Sequence, residues 1–256
     1  MRLSLLTLTL VLIQILGSNA HAQRRVVPVS KGKAANARSM EIGQSAMVVD
    51  ETLSVLRMEP SLFSEPIHRM QRGRKVQIQA VAEADGVKFY KVAAPPTSFG
   101  WVQADAVFGK FRPGDEERFS KLVRATDGFD QIEMATQFFE MYPASKFKPT
   151  TLLLFGDLLE EVAAKLSKDA NNRLRRPEMA ASAAPMHSYF LNFVSLDRYR
   201  KLGIIFLFNA DARAFHYDGT SWKEIVAKFP ASPEAEEAKK RLQNLSSKME
   251  QHLGLK

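Results

Sequence analysis

Between Met47 and Phe108 short β-branched runs alternate with turn residues, and that two-residue period makes strand, not helix, the organising element of the stretch. Met47-Val48-Val49 and Leu53-Ser54-Val55-Leu56-Arg57 have strand composition. Glu59-Pro60-Ser61 and Ser64-Glu65-Pro66 interrupt as turns. In Val76-Gln77-Ile78-Gln79-Ala80-Val81 the residues Val76, Ile78 and Ala80 share one face. Asp85-Gly86 is a hairpin signal, followed by Val87-Lys88-Phe89-Tyr90-Lys91-Val92. A last strand starts at Gly100-Trp101-Val102 and ends near Val107. Five or so short strands in about 60 residues predict a small antiparallel barrel.

The residues Val55-Leu56-Arg57 with Pro60-Ser61, Gly73 before Val76, Phe89-Tyr90-Lys91-Val92, and Gly100-Trp101-Val102 with Val107 carry a resemblance to the bacterial SH3-like domain family. The resemblance covers about a quarter of the chain. It departs from the family at Leu56, where a polar residue is common nearby, and at Met58-Glu59, which replaces a small-residue turn. It implies a non-catalytic module that binds peptide segments or cell-wall peptides. Trp101 then reads either as a core-edge tryptophan or, with Tyr90 and Phe99, as the wall of a ligand groove.

Upstream, Arg2 followed by the apolar run Leu3 to Leu16 and the small-x-small sequence Ala20-His21-Ala22 reads as a signal peptide over residues 1–22. The run of about 14 residues is short of the ~20 that span a bilayer, so the expected contact with a membrane is only through this peptide before cleavage. The expected location is exported, periplasmic or extracellular. Residues 23–45 hold Arg24, Arg25, Lys31, Lys33 and Arg38 against the single acid Glu41, and read as a flexible basic linker.

From Asp115 the period becomes three to four. Helices are expected from Asp115 to Asp127, from Asp130 to Tyr142, from Thr150 to Lys168, from Asp197 to Ala214, around Trp222 to Phe229, and from Ser232 to His252. Phe111-Arg112-Pro113-Gly114 reads as a linker and 173–185, with Arg173, Arg175 and Arg176, as a loop. Two patterns recur. Tyr142-Pro143-Ala144-Ser145 and Phe229-Pro230-Ala231-Ser232 are the same joint, 87 residues apart. Leu152-x-x-Phe155-Gly156-x-x-Leu159 and Tyr199-x-x-Leu202-Gly203-x-x-Phe206 suggest glycines at close helix approaches, 47 residues apart. These joints are similar to tetratricopeptide repeats, although neither spacing is a multiple of 34, so an irregular bundle is the alternative.

The expectation is therefore a multidomain β plus α protein: an SH3-like β-barrel over 46–110 followed by an all-α, tetratricopeptide-like domain of helical hairpins over 115–256. The chain has no cysteine, which excludes disulfides, thiolate metal sites and cysteine nucleophiles. His68, His187, His216 and His252 lie at no metal-binding spacing; His216 with Asp218 is either a ligand pair or a turn histidine. Glu160-Glu161 reads as a solvated helix face. No phosphate-binding glycine loop or nucleophile elbow occurs, so no catalytic, cofactor-binding or metal residue is assigned. The net charge of +8 favours anionic surroundings, but charge alone names no partner and nucleic acid is not expected. The expected function is that of a non-catalytic adaptor for a protein partner or a peptidoglycan peptide. A cell-wall hydrolase or its accessory subunit, or a plain scaffold, are the alternatives.

Overall fold

The computed structural model describes residues 39–96 and 98–250, with the backbone of 33–34. The expected signal peptide and most of the expected linker lie outside the described residues. The elements in chain order are β1 (Lys33–Ala34), β2 (Ser45–Val48), β3 (Val55–Arg57), β4 (Pro66–Arg69), β5 (Lys75–Ala84), β6 (Val87–Ala94), β7 (Ser98–Gln103) and β8 (Val107–Phe108). Then come α1 (Asp115–Ala125), α2 (Gly128–Met141), α3 (Lys148–Arg173), α4 (Arg176–Ala181), α5 (Met186–Leu191) and α6 (Asp197–Arg200). The chain closes with β9 (Phe206–Asn209), β10 (Ala214–Tyr217), α7 (Thr220–Lys228) and α8 (Glu234–Glu250).

The first eight strands form one antiparallel sheet ordered β4-β3-β7-β6-β5-β2-β8, with β1 also on β5. Its centre is the β5–β6 hairpin, turned at Asp85 (φ 54°) and Gly86 (φ 74°), the left-handed pair that a two-residue hairpin turn needs. A register shift between Ile78 and Ala80 changes which side chains of β5 face inward, so Val76, Ile78 and Val81 are all buried. The expected barrel is not closed. Edge strands β4 and β8 have four and two residues, too short to form a closing ladder, and they pair only inward. Gly100 has a steric role: a Cβ there would sit 2.7 Å from the Arg57 carbonyl oxygen and 2.8 Å from Leu56 Cγ, so glycine lets β3 approach β7.

Alternation in β2 and β8 joins the two regions. Val48 and Val107 point into the sheet's own core with Leu56, Ile78, Val92 and Val102. Met47, Val49 and Phe108 point the other way, into the core built by the helices. Phe108 packs against Phe119 of α1 at 5.4 Å, and Phe119 against Phe138 of α2 at 5.7 Å. The expected linker at Phe111–Gly114 is a tied joint. Asp115, fully buried, accepts from the Gly109 N–H at 3.0 Å and from Arg112 Nε at 2.7 Å, while Arg112 donates to the carbonyls of Ala104 and Val107.

Helices α1, α2, α3, α7 and α8 stand where the periodicity predicts them, and the two Pro-Ala-Ser joints have the same geometry. In each, the serine N–H donates to the carbonyl three residues back (Ser145 to Tyr142, 3.1 Å; Ser232 to Phe229, 3.0 Å), and the serine carbonyl accepts from three residues on (Lys148 and Ala235, both 3.1 Å).

The region is nevertheless not all-α. The helix expected from Asp197 to Ala214 ends at Arg200, and Gly203, at φ +75°, turns the chain into the hairpin β9–β10. Tyr199 and Phe206 do pack edge to face at 5.5 Å, but across the Gly203 turn and not along one helix face, and Phe208 stacks on Phe190 at 4.5 Å. Gly203 has open space around it, so it serves a left-handed turn and not a close approach. Its counterpart Gly156 is a true close approach: a Cβ there would lie 2.3 Å from Trp222 Nε1.

Candidate functional site

The three residues expected to form a groove are not brought together. Tyr90 pairs with Val102 across the β6–β7 ladder and is fully buried in the sheet core. Phe99 and Trp101 alternate with Gly100 and Val102, so they lie on the opposite face. Phe99 is 58% exposed, and Trp101 is half-buried between its cross-strand neighbours Arg57 and Lys91. Tyr90 instead anchors the chain before β2: its hydroxyl donates to Glu41 Oε1 at 2.7 Å, and Lys88 Nζ reaches the same oxygen at 2.7 Å. The end of the expected flexible linker is thereby part of the sheet, since the Gly43 N–H also donates to Ile78 and the Ile78 N–H to Gln44. Burial followed by the bond to Glu41 pushes the Tyr90 phenol upward.

A cleft of about 700 Å³ lies in the helical region, between α3, β10 and α8. Each helix contributes one stripe at three- and four-residue spacing. Asp157, Glu160, Glu161 and Ala164 come from α3, and Arg241, Asn244, Leu245 and Lys248 from α8. The stripes are opposite in charge and bridge the cleft at two points. Arg241 Nε and Nη2 meet the two oxygens of Asp157 at 3.2 and 3.3 Å, and Lys248 Nζ meets Glu160 Oε1 at 2.7 Å. Phe215, Trp222 and Leu245 supply apolar wall.

Glu160 is the hub. Beyond Lys248 it faces His216 Nδ1 at 2.9 Å and accepts from the Tyr217 N–H at 2.9 Å. Burial alone would raise its carboxyl, but the bonds from His216, Lys248 and the Tyr217 backbone outweigh it and bring the group down to about 2. Asp218, the candidate partner of His216 in a ligand pair, is engaged by Thr220 through its N–H and hydroxyl. Glu160 is thus no free solvated face. Ser167, the one hydroxyl among the lining side chains, donates to the Ala163 carbonyl at 2.7 Å and accepts from the Phe215 N–H at 2.7 Å.

Among the described residues no three His, Asp or Glu side chains converge to hold a metal ion, and no helix is long and apolar enough to cross a membrane. The chain matches no family model, no curated protein and no solved structure. The only signal in the sequence for this cleft was the acidic pair Glu160-Glu161 in the middle of an amphipathic helix; its basic counterpart sits more than 80 residues later, and spacing carries no information over that range.

Proposed function

We propose that this is an exported, non-catalytic interaction protein that takes a short segment of a partner chain, or a wall peptide bearing both charges, in the cleft between α3 and α8. The carrying observation is the cleft itself. At about 700 Å³ it has the size of a ligand site, and it sets an acidic stripe against a basic one over an apolar floor. A peptide with its own carboxylate and ammonium groups exchanges those pairs for new ones without leaving a buried charge alone. Binding is favoured over turnover because the Ser167 hydroxyl is engaged on both sides. The export part of the reading rests on residues 1–22, and Phe99 with Trp101 offers the sheet's outer face as a second contact.

Co-sedimentation of the full chain with purified peptidoglycan, and titration with mixed-charge peptides, tests this. Arg241→Ala and Lys248→Ala should weaken binding roughly tenfold or more, and Trp101→Ala should matter only if the sheet face takes part. Binding indifferent to both cleft variants would remove the cleft from the reading. The Glu160–His216 pair favours a hydrolase as the second reading, and wall clearing by purified protein that disappears in His216→Ala would establish it.

A further inference from the structure

We propose that the protein docks on anionic phospholipid through a small pocket between the end of α3, the α4–α5 arm and the tip of the β9–β10 hairpin. The pocket has about 240 Å³ and is lined by Leu174, Arg176, Met179, Ala184, Met186 and Arg213. It lies outside the cleft and does not depend on the function proposed for it.

The basic side chains of this end divide into two sets. Arg173 is paired with Asp169 at 2.7 Å and Arg175 with Glu178 at 3.0 Å. Arg176 and Arg213, the two that line the pocket, make no ion pair among the described residues. Both guanidiniums are therefore available to one anion, and the planar fork suits the oxygens of a phosphate. Arg213 is held in place at a cost. It sits at φ +49°, a left-handed conformation unfavourable for a residue with a side chain, and Asn171 Nδ2 grips its carbonyl at 2.9 Å.

The surroundings select a lipid among anions. From Met179 to Met186 eight residues carry no charge, and five of them are alanine or proline. Helix α4 buries none of its residues, and Met186 is 39% exposed. The arm thus presents small apolar side chains to solvent directly beside the two arginines, the arrangement that seats an interfacial segment among headgroups and acyl chains. Residues 165–213, the segment that carries the pocket, hold nine basic against four acidic side chains, and that excess adds attraction to a negative surface.

The experiment uses the full chain with vesicles of phosphatidylcholine alone and of phosphatidylcholine mixed with phosphatidylglycerol. Binding is expected only to the mixed vesicles, with a blue shift in tryptophan emission from an Ala181→Trp reporter. Arg176→Gln with Arg213→Gln should lower partitioning roughly thirtyfold, with circular dichroism checking that the variant is folded. Met186→Asp, at an exposed position, should lower it as well. Soluble short-chain phosphatidylglycerol should compete and inorganic phosphate should not. The proposal is overturned by equal binding to both vesicles, by an unshifted reporter, by phosphate competing as well as the lipid, or by binding that survives both variants. Loss only on neutralising Arg24, Arg25, Lys31, Lys33 and Arg38 would move the attraction to that segment and also overturn it.

Discussion

His216 Nδ1 and Glu160 Oε1 meet at 2.9 Å although 56 residues separate them, and this contact ties the β9–β10 hairpin to α3. Lys248 ties α8 to the same carboxylate. Glu160 therefore makes stability depend on pH. Its folded value, about 2, lies below the ordinary 4.5, so its contribution is complete above 4.5. As the pH falls toward 2 the unfolded chain takes up the proton first and the contribution is lost. The drop from 4.5 to about 2 corresponds to about 3 kcal/mol. Urea midpoints of wild type and Glu160→Gln, measured across that range, should differ at neutral pH and converge near pH 2.

What could be read in the sequence was local. Asp85-Gly86 marks its hairpin because only a left-handed pair closes so tight a turn, and Pro143 and Pro230 stop their helices because proline lacks the N–H. Misreadings arise where two periods coincide or where distance matters. Phe206 falls in register with Tyr199 on a helical count, yet Gly203 breaks the helix between them. Phe89 and Tyr90 are consecutive and both buried, so hydrophobicity could not show which of them faced the sheet core and which lay on Trp101's face. The cleft was invisible because its acidic and basic stripes look, separately, like ordinary solvated helix faces.

The two glycines that share a sequence pattern should respond differently to alanine. Gly156→Ala places a Cβ 2.3 Å from Trp222 Nε1 and 2.6 Å from Ser221 Oγ. That overpacking should cost about 1–3 kcal/mol and alter Trp222 emission, read in a Trp101→Phe background. Gly203→Ala meets no atom but must keep φ near +75°, which should cost about 1–2 kcal/mol and leave the emission unchanged. Asparagine, which tolerates that conformation, should recover part of the loss at position 203 only.

Asp85 does more than turn the hairpin. Its Oδ2 accepts from Ser61 Oγ at 2.7 Å and from the Leu62 N–H at 2.9 Å, pinning the loop that holds out Phe63, 68% exposed. Asp85→Gly keeps the positive φ and removes only the acceptor. It should cost about 1–2 kcal/mol, because the buried Ser61 hydroxyl, which still accepts from the Phe63 N–H, loses the acceptor for its own proton. Hydrogen exchange should show the Leu62 amide losing protection while the β5–β6 amides keep theirs.

The sheet and the helices should unfold together. Met47, Val49 and Phe108 belong to the helical core, and the buried Asp115 fastens the joint to Gly109 and Arg112. One tryptophan reports on each region: Trp101 on the sheet, Trp222 on the helices. In Trp222→Phe and Trp101→Phe variants, urea transitions followed by the remaining tryptophan should share one midpoint. Asp115→Ala leaves Arg112, largely buried in the joint, without its carboxylate; it should destabilise the chain by about 3–5 kcal/mol and lower both midpoints together. Two separated midpoints in the otherwise native chain would mean that the core crossing at Phe108 and Phe119 does not couple the regions, and that they behave as independent domains.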